Sequence, residues 1–402
     1  MSPGTRMAPL ALSAMTAVSA MGQGLAAMRL ALKTRHCPLR PCDFPHIELP
    51  TWIGRVEGVE EASLPASLAA FDCRNNRLVL MALESDDFMH DVATAVRRYG
   101  PTRIGVVLGT STSGIEEGEH AYRQRDPATG HLPGHFDFVR TQDLFAATRF
   151  VRTILGLRGP GFAVSNACAS SAKAFADAAM LIETGLCDAV VVGGADSLCG
   201  ITLHGFNSLD LLAPGPCRPF AADRDGLSIG EGAAFALLER QSHAENGQVS
   251  LLGHGASTDA HHMSSPHPDG AGAILAIRQA LALADLSPET IDYVNFHGTG
   301  TLGNDAVEDK AVFATLGGQT PCSSTKGWTG HTLGASGAME ALITSLSLIE
   351  GLVPGCLNVA EVDPLCRSRV VTANLARPLK IALSNSFGFG GSNCSLVLGR
   401  AA

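Results

Sequence analysis

Several features that would mark other classes of protein are missing from this sequence. No stretch approaches the roughly 18 consecutive apolar residues that a membrane-spanning helix requires. The eleven cysteines include no C-x-x-C pair and no spacing typical of zinc ligands. Their odd number also argues against a disulfide framework. We therefore expect a reduced, cytoplasmic protein with no metal centre and no membrane span.

Positive charge is also scarce. The chain has 29 Lys and Arg against 38 Asp and Glu, a formal net charge of −9. Nucleic-acid binding needs clustered basic residues, so this balance argues against a nucleic-acid partner, and an acidic partner would have to meet a local basic patch. With 402 residues, 46% hydrophobic, and 44 glycines, the chain suits a two-part α/β enzyme with many tight turns.

Continuous rather than alternating apolar runs predict strands that are covered by helices on both faces. Such runs lie at 104–108, 189–192, 233–238, 293–296 and 395–398. The N-terminal run at 10–24 is interpreted as a buried first strand and a turn, with a signal peptide as the weaker alternative. A polar stretch at 240–249 predicts an internal boundary, with one domain over 1–242 and a second over 250–402.

Two segments of the chain resemble each other. NACASSAKAFADAAMLIETGLCD begins at residue 166, and TGHTLGASGAMEALITSLSLIEGLVP begins at residue 329. Each has a reactive type of side chain in a turn of small residues, followed by an Ala-rich helix that ends in Gly. A duplicated α/β unit would explain this similarity.

Cys168 lies just before the first of these helices. The positive end of a helix dipole stabilises a thiolate, which predicts a lowered thiol pKa and a nucleophile at neutral pH. The alternative is a small buried thiol, as we expect for Cys187 and Cys199. The residues around Cys168 leave both interpretations open.

Three further stretches contain groups that could act with a thiol. His297 follows a predicted strand in DYVNFHGTGTLG, and SSTKGWTGHTLGASGAMEA contains Lys326, His331 and Glu340. A thiol, two imidazoles and an ammonium are the groups that acyl transfer through a thioester requires. The Gly-rich turn SNSFGFGGSNCS, at 384–395, could supply backbone N–H groups to an oxyanion. The histidines of DAHHMSSPHPDG, at 259–270, match no standard metal-ligand spacing.

Together these stretches resemble the β-ketoacyl-acyl carrier protein synthases, the condensing enzymes of the thiolase-like superfamily. The resemblance covers nearly the whole chain, from LALSAMTAVSAMG to SFGFGGSNCSLVLG. It implies a thiolase-like α/β fold of two similar halves stacked as αβαβα layers. It also implies that no cofactor is bound, because the substrates arrive on the phosphopantetheine arm of acyl carrier protein.

The resemblance also implies roles for individual residues. Cys168 would accept the acyl chain, and His297 and His331 would stabilise the enolate that forms when malonyl thioester loses CO₂. Lys326 matches the lysine near the second histidine, and Glu340 matches an acidic residue of its hydrogen-bond network. His331 separates the chain from the initiating synthases, which carry Asn at this position.

Further matches concern the substrate's approach to the nucleophile. Thr299 and Thr301 would contact the phosphopantetheine arm. Phe389 would act as a gate, and its backbone N–H, next to Gly388, would form the oxyanion hole together with that of Cys168.

One departure from the elongating synthases concerns the acyl pocket. In GVVLGTSTSGIEEGE, at 105–119, Thr112 occupies the position of a bulky aliphatic gate. The GTSTSG pattern also resembles condensing enzymes of specialised pathways such as aryl polyene synthesis, which form heterodimers with a chain-length-factor partner. Fatty acid elongation by a homodimer and a specialised polyene or polyketide pathway both remain open.

Two other expectations concern partners. The resemblance implies that an acidic carrier protein docks on the chain, and Arg74, Arg77 and Arg218 are the candidate docking residues. The alternative function is a non-condensing chain-length-factor or scaffold subunit of a heterodimeric ketosynthase. Cys168 argues against that alternative, because such subunits lack the nucleophile.

Overall fold

The computed structural model describes residues 6–240 and 248–400. The strands are β1 (Leu10–Ser19), β2 (Gly22–Gln23), β3 (Arg40–Pro41), β4 (Trp52–Gly54), β5 (Ile104–Gly109), β6 (Gly161–Val164), β7 (Ala189–Asp196), β8 (Ile229–Gly230), β9 (Gly232–Arg240), β10 (Val249–Thr258), β11 (Tyr293–Asn295), β12 (Pro321–Ser323), β13 (Leu352–Val353), β14 (Arg369–Val370), β15 (Leu375–Ala376), β16 (Ile381–Gly388) and β17 (Ser392–Arg400). The helices are α1 (Gly24–Thr34), α2 (Arg74–Leu83), α3 (Phe88–Tyr99), α4 (Ile115–Arg123), α5 (Phe138–Thr141), α6 (Ala146–Ile154), α7 (Ser170–Glu183), α8 (Gly200–Ser208), α9 (Ala271–Ala284), α10 (Leu302–Leu316), α11 (Lys326–Thr329) and α12 (Ser336–Glu350).

The main sheet consists of two units with the same topology. The first has the strand order β6-β5-β7-β9-β1 and the second β12-β11-β16-β17-β10; in addition, the short strand β14 extends the second unit beside β12, and β2 pairs with β1. In each unit the first three strands are parallel and the last two are antiparallel to their neighbours. Among the described strands, the two units pair where Leu10 and Ala11 of β1 lie opposite Leu251 and Ser250 of β10. This repeated order confirms the duplicated α/β unit.

Helices cover both units and separate them. The Ala-rich helices α7 and α12 pack against each other and against strands of the two units, so they form a central layer. Helices α2, α3 and α6 pack on the first unit, and α9 and α10 lie on the second. The result is the five-layer αβαβα fold that the resemblance implied.

The predicted strands are found where the apolar runs placed them. Four of the five runs lie within strands β5, β7, β9 and β17, the run at 293–296 extends one residue beyond β11, and the N-terminal run forms the buried strand β1. Most of the predicted boundary at 240–249 lies outside the described residues, so the division into 1–242 and 250–402 stays a prediction. Within 6–240 and 248–400, the helices are too short or too polar to cross a membrane.

The predicted reactive side chains follow strand ends. Cys168 comes after β6, His297 after β11, His331 after β12 and α11, and Phe389 directly after β16. Ligands and catalytic groups of α/β sheets gather at the carboxyl ends of strands. The duplicated topology therefore brings residues from both halves to one place.

Candidate active site

A sharp turn presents the Cys168 thiol. Ala167, the residue before it, has φ +48°, a left-handed conformation that non-glycine residues rarely adopt. The Ser170 hydroxyl stabilises the turn by accepting the Asn166 N–H at 2.8 Å and donating to the Ala167 carbonyl at 2.5 Å. Helix α7 begins at Ser170, so Cys168 lies just before the helix, as predicted.

The His331 imidazole lies against this thiol, with 3.0 Å between Nε2 and Sγ. Two groups lie at His331 Nδ1: the Ser336 hydroxyl at 3.2 Å and the backbone N–H of Leu333, which donates at 3.3 Å. A hydroxyl can donate or accept, whereas a backbone N–H can only donate, so the Leu333 N–H decides the role of Nδ1. An imidazole nitrogen that accepts a hydrogen bond carries no proton, so the neutral ring holds its proton on Nε2. Burial and the charge of Lys326 keep the pKa of His331 well below its usual value. His331 is therefore a neutral N–H donor directed at the sulfur.

The same argument assigns the proton of His297. Its Nδ1 lies 3.2 Å from Nζ of Lys326, and an ammonium can only donate. The proton of the neutral ring is therefore on Nε2. The two imidazoles meet edge to face, with centroids 5.1 Å apart. Burial, Lys326 and His331 all lower the pKa of His297, so two neutral N–H donors lie side by side.

Lys326 and Glu340 form a buried ion pair behind the histidines. Besides His297 Nδ1, the ammonium donates to the His297 carbonyl oxygen and to Glu340 Oε1. Burial raises the pKa of Glu340 to about 7, against the effect of Lys326. The pair therefore holds His297 by its ring and by its backbone.

The expectation of a lowered thiol pKa at Cys168 is wrong. Burial raises this pKa to about 11, although the charge of Lys326 and the Phe389 N–H both oppose the shift. Desolvation penalises a thiolate more than the start of the helix stabilises it. The resting site therefore contains a thiol, and the thiolate depends on donors that act during the reaction.

Gly388 and Phe389 border the sulfur on the other side. A Cβ at Gly388 would lie 3.0 Å from the backbone nitrogen of Cys168, so a larger residue would have to push this backbone aside, and the close approach favours glycine. The Phe389 N–H is directed at the Cys168 sulfur, and its ring stacks on Phe206 with centroids 5.5 Å apart. The Phe389 N–H thus lies at the nucleophilic sulfur, at the position where the resemblance predicts an oxyanion hole.

A cavity of about 510 Å³ leads to these groups. Cys168, His297 and His331 lie at its inner end, and Thr299 and Thr301 line it with hydroxyl oxygens 2.8 Å apart. The remaining lining includes Phe206, Asp210, Leu211, Asp225, Ser264, Ser265, Leu302, Asn304, Phe387 and Phe389. Its shape allows a flexible arm to reach the thiol from the surface.

Comparisons with known proteins decide the family. The family model "Beta-ketoacyl synthase, N-terminal domain" matches residues 75–244, and "Beta-ketoacyl synthase, C-terminal domain" matches residues 249–360. The chain belongs to the β-ketoacyl synthase family. It is therefore a condensing acyltransferase.

Individual relatives agree with this assignment. Nodulation protein E from Rhizobium meliloti is 37% identical over 329 residues, 79% of this chain and 81% of that protein. The 3-oxoacyl-acyl-carrier-protein synthase 2 of Rhizobium meliloti (strain 1021) is 37% identical over 315 residues, 74% of each. The ketosynthase ApeO, solved in complex with its chain length factor ApeC from Xenorhabdus doucetiae, has a TM-score of 0.88 and 39% identity, and the match covers 98% of both chains.

The synthase has one group of three possible metal ligands among its described residues. It consists of Cys168, His297 and His331, whose ligand atoms lie within 4.8 Å of one another. In both histidines Nδ1 accepts a hydrogen bond and Nε2 carries the proton, which favours donation to an anion over metal ligation. The histidines of 259–270 form no such group in the described part of the chain.

Not all predicted residues of the synthase lie at this site. Thr112 is buried on Asp196, to which its hydroxyl donates at 2.8 Å, and the residues that line the cavity do not include it. Arg74 lies elsewhere too. Its guanidinium is buried and pairs with Glu231 and Glu60 at 2.5–2.7 Å, which argues against the expected role of this residue in docking.

The other two arginines are only partly exposed. Arg77 makes two hydrogen bonds to Asp72, at 2.7 and 2.8 Å. Arg218 pairs with Asp223 and Asp225 at 2.8 and 2.9 Å. Both remain candidates for docking, but a carrier protein would have to compete with these carboxylates.

Sequence reasoning missed the acidic residues that shape the His297 turn. Glu308 accepts the backbone N–H groups of His297 and Gly298 at 2.8 and 2.7 Å, and burial raises its pKa to about 8. Asp305 accepts the Gly300 N–H at 3.2 Å. Their i, i+3 spacing in α10, directly after HGTGT, was the available signal, because such spacing places two side chains on one helix face.

Proposed function

We propose that the chain takes an acyl group from acyl carrier protein onto Cys168 and condenses it with malonyl carrier protein, with loss of CO₂. One observation carries the proposal. Two neutral imidazoles in the Nε2–H form lie beside each other and next to Sγ of the buried thiol. Such a pair suits an anion that develops near the sulfur better than a base that must remove a proton.

In the acylation step, the Cys168 sulfur attacks the thioester carbonyl carbon of the acyl carrier. A carbon–sulfur bond forms to the enzyme, and the carrier's sulfur leaves and takes up the thiol proton. The oxygen of the tetrahedral intermediate accepts hydrogen bonds from the N–H groups of Cys168 and Phe389. Backbone donors that are fixed before the reaction need little reorganisation.

In the condensation step, the malonyl thioester loses CO₂ and its bonding electron pair moves into an enolate. The enolate oxygen accepts hydrogen bonds from Nε2–H of His297 and His331. The carbon then attacks the acyl carbonyl on Cys168, the carbon–sulfur bond breaks, and the sulfur leaves as a thiolate that takes a proton from water. Two steps on one nucleophile give ping-pong kinetics.

Both substrates reach the site on the phosphopantetheine arm of the carrier. Thr299 and Thr301 line the cavity and can bond the amides of that arm. The chemistry uses a thiol and fixed N–H donors, and it needs no bound cofactor.

Two pathways suit this activity. The 39% identity over 98% of a ketosynthase that was solved with its chain length factor, together with the GTSTSG loop, supports a specialised polyene or polyketide pathway and a heterodimer. The 37% identity to a 3-oxoacyl-acyl-carrier-protein synthase 2 supports fatty acid elongation by a homodimer. Activity of the purified chain alone would favour the second; dependence on a chain-length-factor-like subunit would favour the first.

Intact-mass measurement tests the nucleophile. Incubation with a panel of acyl carrier thioesters should add one acyl group to the wild type and to Cys187→Ala, in which another buried thiol is removed, but none to Cys168→Ala. An adduct that persists in Cys168→Ala would overturn the mechanism. Decarboxylation of malonyl carrier should persist in Cys168→Gln and be lost in the His297→Ala, His331→Ala double variant.

A further inference from the structure

A buried carboxylate joins the two halves of the molecule close to the active site. Asp196 is the last residue of β7 and has 0% exposure. Its oxygens accept hydrogen bonds from Thr110 Oγ1 (2.6 Å), Ser111 N (2.9 Å), Ser111 Oγ (2.7 Å), Thr112 N (2.9 Å), Thr112 Oγ1 (2.8 Å) and Gly334 N (2.5 Å). All but the last of these donors belong to the loop after β5, and Gly334 lies in the turn after His331.

The contact with Gly334 affects the neighbouring peptide. Leu333 has φ +53°, which a branched side chain rarely adopts. In that conformation its N–H points at Nδ1 of His331, 3.3 Å away. Because the Gly334 N–H is bonded to the buried carboxylate, the turn cannot relax without breaking that bond. Asp196 therefore holds the Leu333 N–H in place. Of the two groups at Nδ1, the other being the Ser336 hydroxyl at 3.2 Å, this N–H is the one that can only donate and so keeps the His331 proton on Nε2.

The contacts of Asp196 also explain why the loop 110–112 consists of polar residues. The Thr112 hydroxyl donates to Asp196 and accepts the Ser197 N–H at 3.3 Å. Its single O–H donor is therefore used on the carboxylate. A carboxylate held by this many donors has a fixed position, so the loop of the first half anchors the turn of the second.

We propose that Asp196 is a positioning residue that keeps His331 in its Nε2–H form and thereby directs that N–H at the Cys168 sulfur. The inference rests on the proposed function, because the donor acts on groups of that reaction. Asp196 touches no substrate; it acts through Gly334, Leu333 and His331.

The first test is Asp196→Asn. The amide has the same shape but presents an NH₂ group to donors, so either the loop or Gly334 loses its acceptor. We expect kcat for condensation to fall about 10²-fold, as for a misplaced catalytic group, with KM for malonyl carrier unchanged. Alkylation of Cys168 by iodoacetamide should become slower and require a higher pH, because the sulfur loses its donor.

Whether Cys168 alkylation becomes slower or faster distinguishes a positioning role of Asp196 from a role in stability alone. A role confined to stability would loosen the site and expose the thiol, so alkylation would become faster. Glu231→Gln is the matched control, since Glu231 is also 0% exposed and holds the backbone N–H groups of Val56 and Leu198, both at 3.0 Å. It should lower stability and leave the pH profile of Cys168 alkylation in place.

A second variant approaches the carboxylate from its other side. A Cβ at Gly334 would lie 2.7 Å from Asp196 Oδ2, so Gly334→Ala must displace the contact. It should slow Cys168 alkylation as Asp196→Asn does. This variant keeps the inference testable if Asp196→Asn does not fold.

Nitrogen NMR of ¹⁵N-histidine protein reads the tautomer directly, with His331→Asn to assign the ring. We expect a single Nε2–H form in the wild type and a mixture in Asp196→Asn and Gly334→Ala. An unchanged tautomer, or alkylation that becomes faster, would overturn the inference. Failure of every acyl carrier to modify wild-type Cys168 would instead overturn the proposed function, while the NMR and alkylation results would still decide the role of Asp196.

Discussion

Removal of the Lys326 ammonium is the most direct test of what fixes the proton position and the pKa of the imidazole of His297. In Lys326→Met the side chain keeps its length but loses its charge and the donors to His297 and Glu340. Glu340, whose pKa is already about 7, then takes up a proton at neutral pH, because an unpaired buried carboxylate is costly. The variant therefore loses the buried ion pair, but no unpaired charge is left in the interior, because Glu340 becomes neutral.

Two consequences for catalysis follow. Without the donor at Nδ1, His297 can carry its proton on either ring nitrogen, and loss of one preorganised donor costs about 10²–10³ in kcat. An ammonium and an imidazolium 3.2 Å apart also repel by about 5 kcal/mol at an effective dielectric constant of about 20. Lys326 thus lowers the pKa of His297, and its removal raises that pKa.

The pH–rate profile of condensation measures both effects. An imidazolium would hand its proton to the carbanion, which gives the acetyl carrier instead of the extended product, so the acid limb of condensation should move to higher pH in Lys326→Met. The Lys326→Met, Glu340→Gln double variant should show its acid limb at the same pH as Lys326→Met alone. Lys310→Met, which changes an exposed lysine, should have the wild-type profile. Wild-type kcat, or an acid limb that stays in place or moves to lower pH, would refute the reasoning.

Three further predictions concern single contacts. Gly388→Ala places a Cβ 3.0 Å from the Cys168 nitrogen. The rate of Cys168 acylation, measured by intact mass, should fall about 10²-fold; an unchanged rate would argue against the oxyanion hole. Arg74→Met leaves Glu231 buried without its partner, and urea unfolding should show a loss of about 3–5 kcal/mol. A raised KM for carrier substrates at unchanged stability would instead restore Arg74 as a docking residue. Glu308→Ala leaves buried backbone donors unpaired at about 1–3 kcal/mol each, so stability and kcat should both fall; retention of both would contradict the role of Glu308 in the His297 turn.

Local sequence patterns predicted the parts of the site that depend on near neighbours. The position of Cys168 before α7, of His297 after β11 and of Phe389 in a Gly-rich turn each follows from apolar runs and small residues within about ten positions. The five-layer fold came from the family resemblance, and the sheet topology confirms it. These features rest on strand and helix periodicity, which a chain carries in its own spacing.

Tertiary contacts decided the chemistry of the same residues. Cys168 meets His331 across 163 positions, and Asp196 meets Gly334 across 138. Burial raised the thiol pKa where helix-start placement predicted a lower one, and it removed Arg74 from the surface. Proton position, pKa and access depend on which groups surround an atom in space, so the sequence determined where the reactive groups lie along the strands and helices, and the packing of the two halves determined their protonation states.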